Sequence, residues 1–355
     1  MRRLSALAVL TVAFFLVPHS STAAEPALLP SFEGGTAWFN TQPLTRADVR
    51  DKVVLVDFFD YTSLSSLRML PYLRAWYKRY ASDGLVIVGI QTSEIGFAAD
   101  TRNAAAAIAR LGITWPVVVD GKHAIGERYD ATYAEHMLLF DRNGFRIASV
   151  VGETDYPNLE ALIRQMLQAM HPEQQFGPIM ALLPQDSYDK PNAITYPRTT
   201  SIRLGRMDRD IANPPSNLFG DDVDYVDSPP PHEDGRVYLQ GRWRQANDSI
   251  VAGESGGYLA LHYHAVQVDC IMNPQRGPVR VVVTQNGKPV EKTDAGSDIQ
   301  YDAQGNSYVT VDIGRAYDLI MNKRWGTYDL RLYPRHGGVA VYGFDFETAE
   351  ALSDY

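Results

Sequence analysis

The seven residues Val53-Val-Leu-Val-Asp-Phe-Phe59 constrain the fold more than any other stretch of the chain. So apolar a run has no polar side to turn to water, and it reads as a strand covered on both faces. From about Ser65 to Ala81 the apolar residues Leu67, Leu70, Leu73, Tyr77 and Tyr80 keep helical spacing. Pro71 inside this segment removes a backbone donor and is expected to kink the helix. Ser82-Asp83-Gly84 ends it, and Leu85-Val-Ile-Val-Gly-Ile90 is a second buried strand.

The alternation then continues. Asn103 to Leu111 is an alanine-rich helix closed by Gly112, and Trp115-Pro-Val-Val-Val-Asp120 begins another strand. Met137–Asp141 and Phe145–Val151 flank Arg142-Asn143-Gly144, a hairpin signal. Leu159 to Met170 is a closing amphipathic helix. Residues 25–172 are therefore expected to form an α/β sheet with helices on both faces.

Residues 173–200 lack periodicity, carry Pro178, Pro184, Pro191 and Pro197 just after Pro172, and read as an ordered or semi-ordered linker. From 201 to 347 short alternating segments recur between turn residues, with Asn286-Gly287 fitting a tight hairpin turn. Strands with no helix between them indicate a β-sandwich, with residues 348–355 as a tail.

Residues 1–24 read as a secretory signal peptide. Arg2 and Arg3 precede an apolar stretch from Leu4 to Val17, and Thr22-Ala23-Ala24 offers a small-residue cleavage site. The expected location is exported, in the periplasm or outside the cell, with no membrane span once the signal is removed. The formal net charge is −9, and cleavage removes two arginines, so nucleic acid is excluded as a partner class. The single cysteine, Cys270, sits in a strand-like run and reads as a small buried apolar residue.

Beyond this pattern, particular residues resemble the thioredoxin superfamily in its TlpA and redoxin branch. They are Ala37–Leu44, Lys52–Phe58, Leu67–Tyr77, Leu85–Ile90, Glu94 and Val151–Tyr156, and they resemble the exported portion of DipZ-type proteins. The second half resembles the same family more loosely, through Leu239–Trp243, Gly296–Asp298, Arg315–Leu319 and Tyr342–Phe346. The resemblance implies a thioredoxin-like α/β domain followed by an all-β sandwich likened to carbohydrate-binding modules. It also implies a Cys-x-x-Cys pair at the start of the first helix, where the helix N-terminus favours a thiolate. Here that pair falls on Ser63 and Ser66, and the position of the family's cis-proline falls on Glu135. Serine forms no disulfide, and a non-proline cis bond costs ~3 kcal/mol, so the loop is expected to be trans and reshaped.

The remaining candidates have plainer readings. Ser63, Ser65 and Ser66 are natural helix caps, and His136 with Glu135 nearby is a candidate base for one of them. His262 and His264 share a strand face with Asp269 downstream, a weak metal candidate without a third ligand. Asp221-Asp-Val-Asp224 lacks the glycine and glutamate of a calcium loop. Trp243, Tyr258, Tyr263, Trp325 and Tyr328 are candidate sugar-stacking aromatics, Trp243 and Trp325 foremost, or else core residues. The expected function is binding or assembly of envelope proteins through a redox-inactive site, without cofactor. The alternatives are glycan binding by the sandwich, a family-type oxidoreductase, or another residual enzyme.

Overall fold

The computed structural model describes residues 28–92, 95–131, 134–189, 194–205, 210–213, 222–348 and 351–352. The expected signal peptide, Glu94 and Asp221 lie outside the described residues.

The first domain is one sheet of β1 (Ala37–Phe39), β2 (Val53–Phe59), β3 (Leu85–Gln91), β4 (Val117–Val119), β5 (His136–Phe140) and β6 (Arg146–Val151). Its order is β1-β4-β3-β2-β5-β6. Strands β2, β3 and β4 are parallel, and the other pairings are antiparallel. All of β2 is buried, as its apolar run requires. Val53, Leu55 and Phe59 face one apolar layer, and Val54, Val56 and Phe58 face the other. Helices α1 (Leu64–Tyr80), α2 (Thr101–Arg110) and α4 (Tyr156–Met170) cover the first layer, and α3 (Ala124–Tyr129) covers the second. Helix α1 continues as one element through Pro71, so the expected kink does not divide it. Glu160 on α4 ties it down, accepting from Trp76 Nε1 at 3.0 Å, Tyr80 Oη at 2.6 Å and Arg79 at 2.8 Å.

The segment expected as an ordered or semi-ordered linker lies against the first domain. Phe176, Met180, Leu182 and Leu183 pack on the first domain's core. Tyr72 Oη donates to Asp186 at 2.7 Å and accepts from the Leu183 N–H at 2.8 Å. The apolar residues between the prolines decide this behaviour, because they bury area that an exposed linker would leave in water.

The second domain contains β7 (Ile194–Thr195), β8 (Ile202–Arg203), β9 (Val223–Tyr225), β10 (Val237–Gln245), β11 (Ile250–His264), β12 (Gln267–Pro274) and β13 (Val279–Gln285). It continues through β14 (Lys288–Pro289), β15 (Gln300–Tyr301), β16 (Ser307–Val311), β17 (Arg315–Met321), β18 (Thr327–Pro334), β19 (Val339–Glu347) and β20 (Ala351–Leu352). Strand β11 begins beside β19 and continues beside β18, so it joins two layers. One layer runs β15-β16-β13-β18-β11-β10-β9, and the other runs β8-β19-β12-β17. Between them lies a core that includes Trp243, Tyr263, Cys270, Phe344 and Phe346. Asn286 and Gly287 both have positive φ, 51° and 73°, and turn β13 into β14 as the sequence predicts.

The domains are joined through the second layer. Every residue of β19 is buried. Val341, Phe344 and Phe346 face the sandwich core, while Ala340 and Tyr342 join the core of the first domain with Ile271 and Ala316. Phe97 meets Tyr342 edge-on at 4.9 Å. Arg68, 6% exposed, donates to Glu153 at 2.6 Å and across the seam to Gln267 on β12 at 3.4 Å. Burial pushes the Glu153 carboxyl up to about 7 against the downward pull of Arg68, and the nearby Glu347 adds to the rise.

The folded chain thus keeps a proton that the unfolded chain releases above its ordinary value of 4.5. Stability is expected to fall as pH rises from about 4.5 to about 7 and to level off above that. Glu153→Gln should flatten this slope in thermal unfolding followed from about pH 5 to about pH 8. An unchanged slope would contradict the assignment.

Candidate functional site

The turn between β2 and α1 is held by its own polar groups. Asp60 Oδ1 accepts from the Thr62 N–H at 2.8 Å and from Thr62 Oγ1 at 2.7 Å. Ser63 follows in extended conformation and caps α1, accepting from the Ser66 N–H at 3.5 Å. Ser66, 1% exposed, accepts from the Asp60 N–H at 3.0 Å. The helix therefore begins at Leu64, one residue before the expected start.

One oxygen joins both serines. Glu135 Oε1 accepts from Ser63 Oγ at 2.7 Å and from Ser66 Oγ at 2.6 Å. Glu135 stands just before β5 with a trans peptide and φ of 58°, a left-handed conformation that a glutamate adopts only where its surroundings hold it. Its carbonyl accepts from the Gly152 N–H at 2.7 Å. Asp57 lies on β2 on the same side of the sheet as α1, 1% exposed, and its Oδ1 is buried without a hydrogen-bond partner. Burial, and then the Glu135 carboxylate, push Asp57 up to about 7.

Two further carboxylates arrive from the second domain. Asp345 Oδ2 accepts from the Leu64 N–H at 3.3 Å, and Glu347 Oε1 accepts from Ser65 Oγ at 3.3 Å. Arg203 holds Asp345 at 2.8 Å, and Arg198 stands 3.2 Å from Glu347. Helix α1 has no acidic residue in its own first turn. Its partial positive charge is met instead by Glu135, Asp345 and Glu347, all from distant parts of the sequence. The site can accept and hold protons, and it has no sulfur with which to exchange a disulfide.

The candidate base, His136, is not part of this group. Its Nε2 pairs with Ser149 at 2.8 Å, and burial followed by the Arg146 charge lowers its pKa. Glu135 occupies the position from which a base would reach the serines. Trp243 is not a ligand contact: it is 1% exposed, its Nε1 donates to the Gln240 carbonyl at 3.0 Å, and it fills the sandwich core. Tyr263 is buried in the same core. Trp325 stacks on Tyr196 at 5.0 Å and donates to the Pro197 carbonyl at 2.6 Å. His262 and His264 diverge onto separate carboxylates, Asp329 at 2.8 Å and Asp234 at 3.0 Å. Asp222 lies 3.7 Å from Arg242 and 3.9 Å from Arg244. Cys270 is buried, and burial with Asp269 and Asp345 pushes its thiol well above the ordinary value.

Sequence reasoning identified Ser63, Ser66 and Glu135 and missed Asp57, Asp345 and Glu347. The available signals were a helix without an acid in its first turn and a late strand, β19, whose acids alternate with phenylalanines.

Comparison with known proteins agrees with this division. Residues 25–163 match the redoxin family, and residues 204–346 match the family described as thioredoxin like C-terminal domain. Protein DipZ of Mycobacterium tuberculosis is 28% identical over 268 residues, which cover 73% of this chain and 36% of DipZ. NHL repeat-containing protein 2 of Bos taurus is 31% identical over 129 residues, covering 36% of this chain and 18% of that protein. Among solved structures, a thiol-disulfide isomerase from Corynebacterium glutamicum is 21% identical with a TM-score of 0.37, covering 40% of this chain and 97% of its own. The thioredoxin domain of a thiol-disulfide oxidoreductase from Bacteroides vulgatus is 20% identical with a TM-score of 0.32, covering 39% and 96%. The chain spans about a third of the length of the DipZ relatives it matches. It consists of a redoxin domain, thioredoxin-like in fold and lacking the Cys-x-x-Cys pair, joined to a thioredoxin-like C-terminal domain.

Proposed function

We propose that this chain is an exported, redox-inactive binding protein of the cell envelope, in which the thioredoxin-like domain serves as scaffold. The observation that carries the reading is the pair of serines bonded to a single Glu135 oxygen, where the resemblance implies two cysteines. The surrounding electrostatics support it. A thiolate at the start of α1 gains from the helix end and from nearby positive charge. Here Glu135, Asp345 and Glu347 already occupy that end and would repel a thiolate.

The second domain also lies across the start of α1, so a partner cannot dock there as a substrate docks on an open redox site. Binding then falls to surfaces that both domains build together. An envelope or secreted protein and a glycan are the two partner classes considered for such a surface.

In an insulin-reduction assay the purified protein is expected to leave the rate with dithiothreitol alone unchanged. Turnover that disappears in Ser66→Ala would overturn the reading in favour of a residual enzyme. Restoring sulfur should not by itself restore the chemistry. In a Ser63→Cys/Ser66→Cys variant, iodoacetamide at neutral pH should modify the first thiol no faster than an ordinary cysteine of pKa about 8.5. Adding Glu135→Ala to that variant should accelerate the reaction roughly tenfold, by about one unit of pKa. A fast, low-pKa thiol in the double variant would show that the carboxylates do not control the site.

A further inference from the structure

We propose that the free edge of β6 is a homodimer interface, where a second copy of this chain pairs its own β6 antiparallel about a two-fold axis at Ser149. The proposal stands apart from the redox-inactive reading and goes beyond it. Strand β6 ends the first domain's sheet, and its side away from β5 has no strand partner among the described residues. Leu28 and Leu29 pair with Phe145 and Gly144 and so reach only the approach to it. The other outermost strands are guarded. Strands β1, β8, β9, β14 and β15 are two or three residues long. Strand β17 is longer, but the loop at Asp294 and Gly296 is bonded along its outer side.

Native edge strands are blunted by charge, proline or brevity, because a bare edge is a template for pairing. Strand β6 reads Arg146-Ile-Ala-Ser-Val-Val151, and nothing from Ile147 to Val151 is charged. Ile147 and Val151 are 44% and 65% exposed, and Ser149 is exposed between them on the same face. The Gly152 N–H donates inward to the Glu135 carbonyl at 2.7 Å. By the alternation of an antiparallel ladder, Val150 also bonds inward, toward Met137. Ser149 and Val151 therefore turn their N–H and C=O groups to the free edge.

The edge is complementary to its own reversed image, which a closed two-fold contact requires. Centred on Ser149, the pair sets Ile147 against Val151 of the second copy, Ala148 against Val150, and Ser149 against itself. Apolar meets apolar and hydroxyl meets hydroxyl along the whole overlap. The strand's one charged residue, Arg146, falls opposite Gly152 of the second copy, so no like charges are brought together. Two six-stranded sheets then run on as one. A contact along a single strand edge buries less than the ~1,200 Å² at which stable interfaces begin, so the dimer is weak and concentration-dependent. Glu135 and its serines lie beyond the C-terminal end of β6, so antiparallel pairing places the two copies' sites at opposite ends of the joint.

The test is sedimentation equilibrium of the chain from residue 25 onward, from about 5 μM to about 500 μM, the range of weak association. A monomer–dimer equilibrium is expected. Val151→Lys should weaken it roughly tenfold or more, because the symmetry places each lysine twice beside an isoleucine. Val151 is exposed, and an unchanged unfolding temperature would exclude a folding defect. Ser149→Cys supplies an independent measurement of the register. Residues facing each other across such a pair lie ~5.5 Å apart at Cα, within reach of a disulfide. Mild oxidation of Ser149→Cys should therefore give a linked dimer. Arg146→Cys should not link, since its two copies stand roughly 20 Å apart along the paired strands. Cys270 is buried and does not compete. The proposal is overturned if the chain stays monomeric throughout, or if the dimer survives Val151→Lys unweakened. It is overturned equally if Ser149→Cys links no faster than Arg146→Cys. Reductase activity, if found, would defeat the redox-inactive reading without altering these outcomes.

Discussion

The burial of β19 on both of its faces is the constraint on which the rest depends. A strand of an antiparallel sandwich ordinarily shows one face to a core and the other to water. Here the second face is closed by the first domain, with Tyr342 against Phe97 and Ala340 in the neighbouring apolar layer. That contact aligns Asp345 and Glu347 with the start of α1.

The site shows how a fold can outlast its chemistry. The N-terminus of a helix attracts negative charge whatever atom supplies it. In this chain the attraction is met by carboxylates. Glu135 binds both serines, and Asp345 binds the first backbone N–H of the helix. Asp57 remains beneath, buried and raised to about 7 by burial and by Glu135. The carboxylates hold the turn together through hydrogen bonds alone, which suits a structural junction.

Much of the first domain was legible because its signals are local. The run at 53–59 is apolar throughout because both faces are covered, and Asn286-Gly287 turns a hairpin because both residues take positive φ. The serine pair and Glu135 were legible from resemblance, and their position proved to be a shared contact. The domain seam was not legible. Gly343-Phe-Asp-Phe-Glu347 alternates apolar with polar or small residues, which is the pattern of a strand with one side in solvent. Only the fold reveals that the polar side meets another domain. Trp243 misled for a related reason, since a tryptophan's size suits a core and a sugar platform equally. The prolines between 172 and 197 suggested an ordered or semi-ordered linker, and they carry no signal of where it lies; Phe176, Met180 and Leu183 place it against the first domain.

The short ribbon of β7 with β20 has a topological consequence. Ile194–Thr195 lies where the chain enters the second domain, and Ala351–Leu352 lies where it has left it. Pairing them brings entry and exit together, so the sandwich is a closed loop fastened at its neck. A domain hung from one strand can pivot about that strand. The ribbon leaves the sandwich with a single neck, and it is the contact along β19, not the ribbon, that sets how the sandwich lies against the first domain.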